Sequence, residues 1–406
     1  MKKHYISYQT AYRLTIDNIS ILPRVTMSVF DCVGYVSAED VHAEVDSPSI
    51  HMSMKDGYAV KFDDIKRVSN EKPVHLRVTG SISAGQHIMD ILQSGAAYRV
   101  LTGAKVPNGA DTVIAEEFVT ISGQRIIIKE PTEAGKNILS RGSDTQNGQL
   151  LLKKGAQMTP GKIGYIVSGG RKSIRVYRKP DIAIIATGDE VLLPGQAFSE
   201  GRLYASNLIT LNSWCRNYGF KTDVDTVEDN KKAIKERLIK AADQNDAILT
   251  SGGAWGSDKD LMIEALDELG WEKIYHRIRL GPGKASGFGL LNRKPIFILP
   301  GGPPSNLVAF LQLALPGLLR LCGDRKQHLP EIPATLLSSV IGQTNWTQAI
   351  FGRLKMDNTK TVFDPDKKNG SRLKSMAEAE ALLLIPEGVS GISANEIVNV
   401  QVLNPR

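Results

Sequence analysis

Cysteine is nearly missing from this chain. The 406 residues hold three, Cys32, Cys215 and Cys322, far apart and each in apolar text. That spacing excludes a disulfide scaffold, a CxxC redox pair and a thiolate zinc site, and predicts buried thiols in a reducing compartment. Histidine is also sparse and dispersed, with 7 residues, so no His-rich metal centre is implied. No Gly-Lys-Ser/Thr closes a Walker loop, and no GxGxxG opens a dinucleotide fold. Aromatics are 6% of the chain and interleave with no basic block. The formal charge of +7 is therefore a mixed, solvated surface rather than a nucleic-acid footprint. The most apolar run, Leu307 to Cys322, is interrupted by Gln312 and Pro316 and is too short to span a bilayer. The start, MKKHYISYQTAYRL, lacks the apolar core of a signal peptide, so a cytoplasmic location is expected.

What is present is organised in four stretches, consistent with two to four domains at this length. Residues 1–45 and 140–175 mix helical periodicity with short β-prone pieces. Residues 46–139 read as short alternating strands broken by Gly, Pro and Asn, such as LRVTGSISAG and QRIIIKEP. From 176 to 325 apolar strands alternate with helices: Ile182 to Ala186, then SNLITLNSWCRNYG, NKKAIKERLIKAADQN, DAILTSGG, KDLMIEALDELG and KPIFILPGG. Such alternation predicts a parallel sheet covered on both faces. Residues 326–406 return to short strands, as in a small β-barrel or sandwich. The fold class expected is multidomain α/β, with a parallel-rich sheet flanked by two smaller β-rich regions.

In an open parallel sheet the ligand lies beyond the carboxyl ends of the strands. Three loops fall there: ATGDEV at 186–191, TSGGAWGSDKD at 250–260 and LPGGPPSN at 299–306. Gly301 and Gly302, after Pro300, let backbone approach a ligand without a Cβ clash. Ser305 or Asn306 can cap the following helix, whose N-terminus favours an anion. Ser251, Gly252 and Gly253 form a second close-approach turn. Together the loops predict a phosphate or oxyanion site, with a plain strand–helix corner as the bland alternative. Gly283 and Lys284, in GPGKASGFG, read as a phosphate-facing cation or as a solvated turn lysine. Asp189, Glu190, Asp258 and Asp260 share the edge and supply the hard oxygens Mg²⁺ needs; Asp258 and Asp260 could equally stabilise a helix start.

These motifs, with SMKDGYAV at 53–60, RVLTGAKVPNGADTVIAEE at 99–117, NILSRGSD at 137–144 and NGSRLKSM at 369–376, stand in the order and spacing of a known family. The chain resembles the molybdopterin molybdenumtransferases, the bacterial MoeA proteins and the E domain of gephyrin, from about residue 8 to 403. The resemblance implies a linker domain (1–45 with 140–175), an inserted β-rich domain (46–139), an α/β molybdopterin-binding domain (176–325) and a C-terminal β-barrel (326–406). It also implies a homodimer whose active site lies between subunits. The implied reaction inserts molybdate into adenylylated molybdopterin, with Mg²⁺ assisting and AMP released. Carried over by motif, the functional residues are Asp56, Thr102, Glu190, Asp229 and Lys284. Ser251, Gly252, Gly253, Asp258, Gly283, Pro300, Gly301 and Ser305 would hold substrate, and Glu190, Asp258 and Asp260 would hold the metal. A molybdopterin adenylyltransferase and apo-molybdoenzymes are the protein partners it suggests, with no nucleic acid and no membrane.

The chain departs from the family pattern in its substrate loops. SGGVSVGD is SGGAWGSD here, with Trp255 at a position usually small. KPGKP is GPGKA, losing a lysine at Gly281; PGNP is PGGP, with Gly302 for asparagine; and the glutamate of RGED is Ser143. These differences keep two other readings open: a paralogue using tungstate or a modified pterin, and a non-catalytic pterin-cofactor delivery scaffold.

Overall fold

The computed structural model describes residues 5–86, 90–252, 261–357, 359–366 and 372–403. The chain divides into two compact units. One comprises Thr26–Val33 and Glu39–Ile174; the other comprises Met1–Val25, Gly34–Ala38 and Arg175–Arg406.

The Thr26–Val33 and Glu39–Ile174 unit is built on a six-stranded sheet. Its strands are β1 (Gly57–Val60), β2 (Val74–Ile82), β3 (Ala96–Val100), β4 (Thr112–Ala115), β5 (Val119–Ser122) and β6 (Arg125–Ile128), in the order β4-β1-β3-β2-β6-β5. One face collects Tyr58, Val60, Leu76, Ala97, Ile126 and Ile128; the other collects Ala59, Ile82, Val100 and Val113. This is the period-2 alternation expected from the text. At Gly57 a Cβ would stand 2.1 Å from the Ile114 carbonyl oxygen, so the β1–β4 approach requires glycine. The helix Pro160–Ser168 begins as MTPGK suggests: Thr159 caps it, accepting from the Lys162 N–H, and Pro160 sits where its missing N–H has no intrahelical partner.

The other unit holds the expected α/β layer and barrel. The sheet comprises β7 (Asp181–Thr187), β8 (Lys221–Val227), β9 (Ala247–Ser251), β10 (Glu272–His276), β11 (Gly287–Leu291) and β12 (Lys294–Leu299), in the order β8-β7-β9-β12-β11-β10. The first four in that order run parallel, and β11 and β10 add an antiparallel edge. Successive residues of β7 supply opposite cores. Ile182, Ile184 and Ala186 face one with Leu208, Leu211 and Phe297, while Ala183 and Ile185 face another with Ile234, Leu238 and Leu266. Burial on both faces explains why these strands read as continuous apolar runs. The covering helices are α1 (Ser206–Asn217), α2 (Lys231–Gln244), α3 (Leu261–Glu268) and α4 (Pro303–Ala309). Beyond α4 the helix continues through a wider π turn at Phe310–Ala314 and on to Leu321. Pro316 cannot donate to residue 312 and its ring crowds that carbonyl, which accounts for the local widening.

The C-terminal strands are β13 (Glu331–Leu336), β14 (Thr347–Asp357), β15 (Lys360–Pro365), β16 (Ala381–Ile385) and β17 (Ile397–Val402). They close as β14-β15-β13-β17-β16 and back to β14, a five-stranded barrel around Phe363, Leu383 and Val400. The strand Ile278–Gly281 leaves the α/β sheet and pairs in parallel with Thr347 and Gln348 of β14. The three cysteines are buried and free, and burial pushes the Cys215 and Cys322 thiols up to about 12. Among the described residues no helix is long and apolar enough to cross a membrane.

Candidate active site

The carboxyl ends of β7, β9 and β12 open on one cavity of about 520 Å³. Each loop turns there for a readable reason. After β7, Gly188 takes φ +140 and the Glu190 carboxylate folds back over it, so near that a Cβ on Gly188 would stand 2.7 Å from Oε2. After β9, Gly252 takes φ +104, and a Cβ would come within 2.6 Å of the Thr187 carbonyl oxygen. Only glycine fits that approach. Gly301, after β12, is open by comparison, its nearest neighbour being the Gly252 Cα at 3.7 Å. Thr187, Glu190, Ser251, Gly252, Gly301 and Gly302 all line the cavity.

The start of α4 differs from the sequence-based expectation. Neither Ser305 nor Asn306 caps it. Gly302 holds the N-cap position and no side chain bonds to the first turn. Pro303 and Pro304 remove two of the N–H groups an anion would use, so the helix start is a poorer anion seat than the motif suggested. Asn306 is instead fully buried and donates from Nδ2 to Ser251 Oγ at 3.1 Å and to the Pro300 carbonyl at 2.9 Å. It ties the TSGG turn to the LPGG turn. Asn207 of α1 ties the third element, donating to the Gly301 carbonyl at 2.7 Å. Asn207 and Asn306 lay inside the motifs SNLITL and PPSN; their joining role has no local signal because each partner is distant in sequence.

Among the described residues Glu190 is the acid that lines the cavity, and Asp189 and Asp229 meet beside its loop. The Asp229 N–H donates to Asp189 Oδ1 at 3.1 Å, which brings the start of α2 beside the ATGDEV loop. Burial, then the charges of Asp189 and Glu190, raises the Asp229 carboxyl above its ordinary value. Arg202 donates to the Asp189 carbonyl and steadies this corner. Among the described residues no three His, Cys, Asp or Glu side chains converge closely enough to enclose a metal. Gly253, Asp258 and Asp260 lie outside the described residues, as does Trp255. The GPGK turn reaches the same helix start: Gly283, at φ +128, would place a Cβ 3.7 Å from the Ser305 carbonyl. Lys284 follows on an exposed turn whose carbonyl accepts from the Ile278 N–H at 3.0 Å. Arg372, opening the helix α5 (Arg372–Glu378), and Leu373 complete the cavity wall from the barrel side. Their only sequence signal was the NGSRLKSM motif.

In the other unit, Asp56 and Thr102 form a finished corner. Asp56 Oδ1 accepts from both the Thr102 N–H and its Oγ–H, each at 2.7 Å. These two bonds hold the Asp56 carboxyl below its ordinary range, the backbone bond contributing most. Gly103, at φ +79, makes the turn that aims the Thr102 amide.

Family models cover the chain almost end to end. Residues 6–170 match the MoeA N-terminal region (domain I and II), 183–320 a probable molybdopterin binding domain, and 333–403 the MoeA C-terminal region (domain IV). A solved structure of a molybdopterin biosynthesis MoeA protein from Pyrococcus horikoshii superposes with a TM-score of 0.84 at 30% identity, covering 99% of this chain and 100% of that one. The chain belongs to the MoeA family. Other MoeA relatives include the molybdopterin molybdenumtransferase of Staphylococcus aureus (strain COL), 25% identical over 405 residues with 98% of this chain and 96% of that protein covered. The enzyme of that name from Staphylococcus epidermidis is 27% identical over 403 residues, with the same coverage. The cavity at the carboxyl ends of β7, β9 and β12 is lined mostly by the molybdopterin binding segment, with Arg372 and Leu373 coming from the C-terminal one.

Proposed function

We propose that this MoeA-family chain is a molybdopterin molybdenumtransferase: it takes adenylylated molybdopterin and molybdate, cleaves the phosphoanhydride and releases AMP. The observation that carries this reading is the cavity of Glu190, Ser251, Gly252 and Gly301, in which a carboxylate stands beside bare backbone. Ser251 and the glycine turns bind the substrate's polar tail, and Asn207 and Asn306 hold the loops in register. Lys284, on the turn packed against Ser305, offers a positive charge to phosphate or oxyanion oxygens. The acids Asp189, Glu190 and Asp229 suit a divalent cation: desolvation first, and then the charges of Asp189 and Glu190, raise the Asp229 carboxyl, and positive charge would relieve that second contribution. Mg²⁺ usually keeps several waters and takes one or two carboxylates, so an open acidic corner fits it. Glu190 and Asp229 would hold it together with Asp258 and Asp260, and its chemistry would be to offset charge on the bridging oxygens.

We further propose a cytoplasmic homodimer in which the Asp56–Thr102 corner of one subunit serves the α/β cavity of the other, with a molybdopterin adenylyltransferase and apo-molybdoenzymes as partners. The test is AMP release and molybdenum insertion by purified protein with Mg²⁺, adenylylated molybdopterin, and molybdate or tungstate. Asp56→Ala and Lys284→Ala subunits, each strongly impaired alone, should regain part of the activity when mixed, since a hybrid dimer has one intact site. No AMP release with either oxyanion would sink the enzymatic reading and favour the delivery scaffold.

A further inference from the structure

The strand Ile278–Gly281 leads into the lysine turn, and its residues alternate in what they do. Ile278 and Leu280 are fully buried in the apolar core. Arg279 and Gly281 face the other way. Arg279 therefore stands two residues back, on the face where this chain omits the family's first lysine. It does not stand in for that lysine as a free cation, because every nitrogen of its guanidinium is engaged. Nε and Nη2 donate to Glu387 Oε2 at 3.1 and 2.9 Å, and Nη1 donates to the Tyr5 carbonyl at 3.0 Å. The other Glu387 oxygen accepts from the Tyr8 N–H at 3.4 Å. Three segments distant in sequence thus meet at one side chain: residues 5–8, the lysine strand and the barrel turn after β16. Residues 6 and 7 also lie along the strand, Ile6 beside Ile278 and Ser7 beside Arg279 in parallel register. Beyond the strand the turn closes back on it. The Arg277 N–H donates to the Ser286 carbonyl at 2.8 Å, and the Ile278 N–H to the Lys284 carbonyl at 3.0 Å. The backbone that carries Lys284 is bonded to the two residues just before Arg279.

We propose that Arg279, clasped by Glu387, is a positioning residue for Lys284: it fixes from behind where the lysine turn stands, without touching substrate. The inference rests on the transferase reading, in which Lys284 serves phosphate or oxyanion oxygens, and goes beyond it by assigning what places that lysine. Arg279 and Glu387 keep 34% and 27% of their side chains exposed, and an ion pair so exposed adds little to global stability. Its effect is local. The planar guanidinium sets direction as well as distance, so the strand is held at one angle between residues 5–8 and the barrel turn. The lysine needs that precision, because a reacting-site group misplaced by about 1 Å can lose about 10²-fold in rate.

The test is a double-substitution cycle on AMP release by the full chain, read beside amide hydrogen exchange. Arg279→Met keeps the apolar stem and loses the donors, and should lower kcat about tenfold with KM nearly unchanged. The same substitution in a Lys284→Ala chain should cost less than about twofold, because the turn then has no lysine to place. Arg279→Lys, which keeps the pair with Glu387, should recover most of the loss. Glu387→Gln should act in the same direction as Arg279→Met and by less, and it replaces Arg279→Met if that chain does not fold. Peptides spanning 277–286 should exchange about tenfold faster in Arg279→Met, with 181–187 unchanged and the melting temperature lower by a few degrees at most. An equal loss of turnover with and without Lys284, or unmoved exchange over 277–286, overturns the proposal. The exchange arm needs no turnover. If the unsubstituted chain releases no AMP, the transferase reading fails, and faster exchange over 277–286 still upholds the clasp on the turn.

Discussion

Asp56 and Asp229 are the same side chain in opposite circumstances. Asp56 accepts two hydrogen bonds from one threonine and is held ionised by them. Asp229 is pushed toward protonation by desolvation and then by its two acidic neighbours, Asp189 and Glu190. The first corner is complete as folded. The second leaves like charges near one another. The difference separates a carboxylate whose charge the fold already satisfies from one whose charge the fold leaves opposed.

The largest effect should come from closing the backbone approach that shapes the cavity beside these acids. Gly252→Ala forces a Cβ against the Thr187 carbonyl at positive φ and should cut AMP release about 10²–10³-fold, while Gly301→Ala, with room at 3.7 Å, should stay within a few-fold. Equal losses in both would show that the cavity does not depend on backbone closeness. Next, Glu190→Gln and Lys284→Ala should each lower turnover about 10²-fold, the size expected when a preorganised charge is removed from a reacting site. Mg²⁺ should raise the melting temperature of the unsubstituted chain and have a smaller effect on Glu190→Gln.

A smaller effect bears directly on the contrast between the two acids. A carboxyl with a raised folded value binds its proton more tightly in the folded state than in the unfolded one. Stability is therefore lost as pH rises from the ordinary Asp range through the folded value, and the penalty persists above it. Asp229→Asn should melt higher than the unsubstituted chain near neutral pH without Mg²⁺, by a few degrees at most, and show no advantage in acid. Asp56 runs the other way. Its lowered value contributes stability above the ordinary range that is lost as pH falls through the folded value. Thr102→Val should move the Asp56 carboxyl upward in an NMR titration and change the melting temperature least of all.

Much of the α/β layer was legible because its strands are buried on both faces and its helices carry regular apolar stripes. Ile182 to Ala186 and the run 231–244 announce themselves locally. The turn glycines were legible as well, since Gly252 has no alternative in the sequence grammar of a close approach. The cap of α4 was misread because Pro303 and Pro304 move the N-cap to Gly302, freeing Asn306 to reach Ser251. Barrel closure and the departure of Ile278–Gly281 from the sheet were hidden for a different reason. A strand's pattern tells which face is buried, not which distant strand it will join. Arg372 was quoted within a motif, yet its arrival at the cavity depends on how the barrel is seated, which no local pattern encodes.

The strand that leaves the sheet has a mechanical consequence. Residues 278–281 run straight into the turn bearing Lys284, and they are stitched to β14 by parallel pairing at Leu280–Thr347 and Gly281–Gln348. A parallel ladder pulled along its strands loads its hydrogen bonds in shear, all at once, rather than unzipping them one by one. Tension applied through β14 therefore passes into the strand that carries the lysine turn. The chain has in effect spliced its lysine turn to the C-terminal barrel like a tendon, so that the two are tethered to move together.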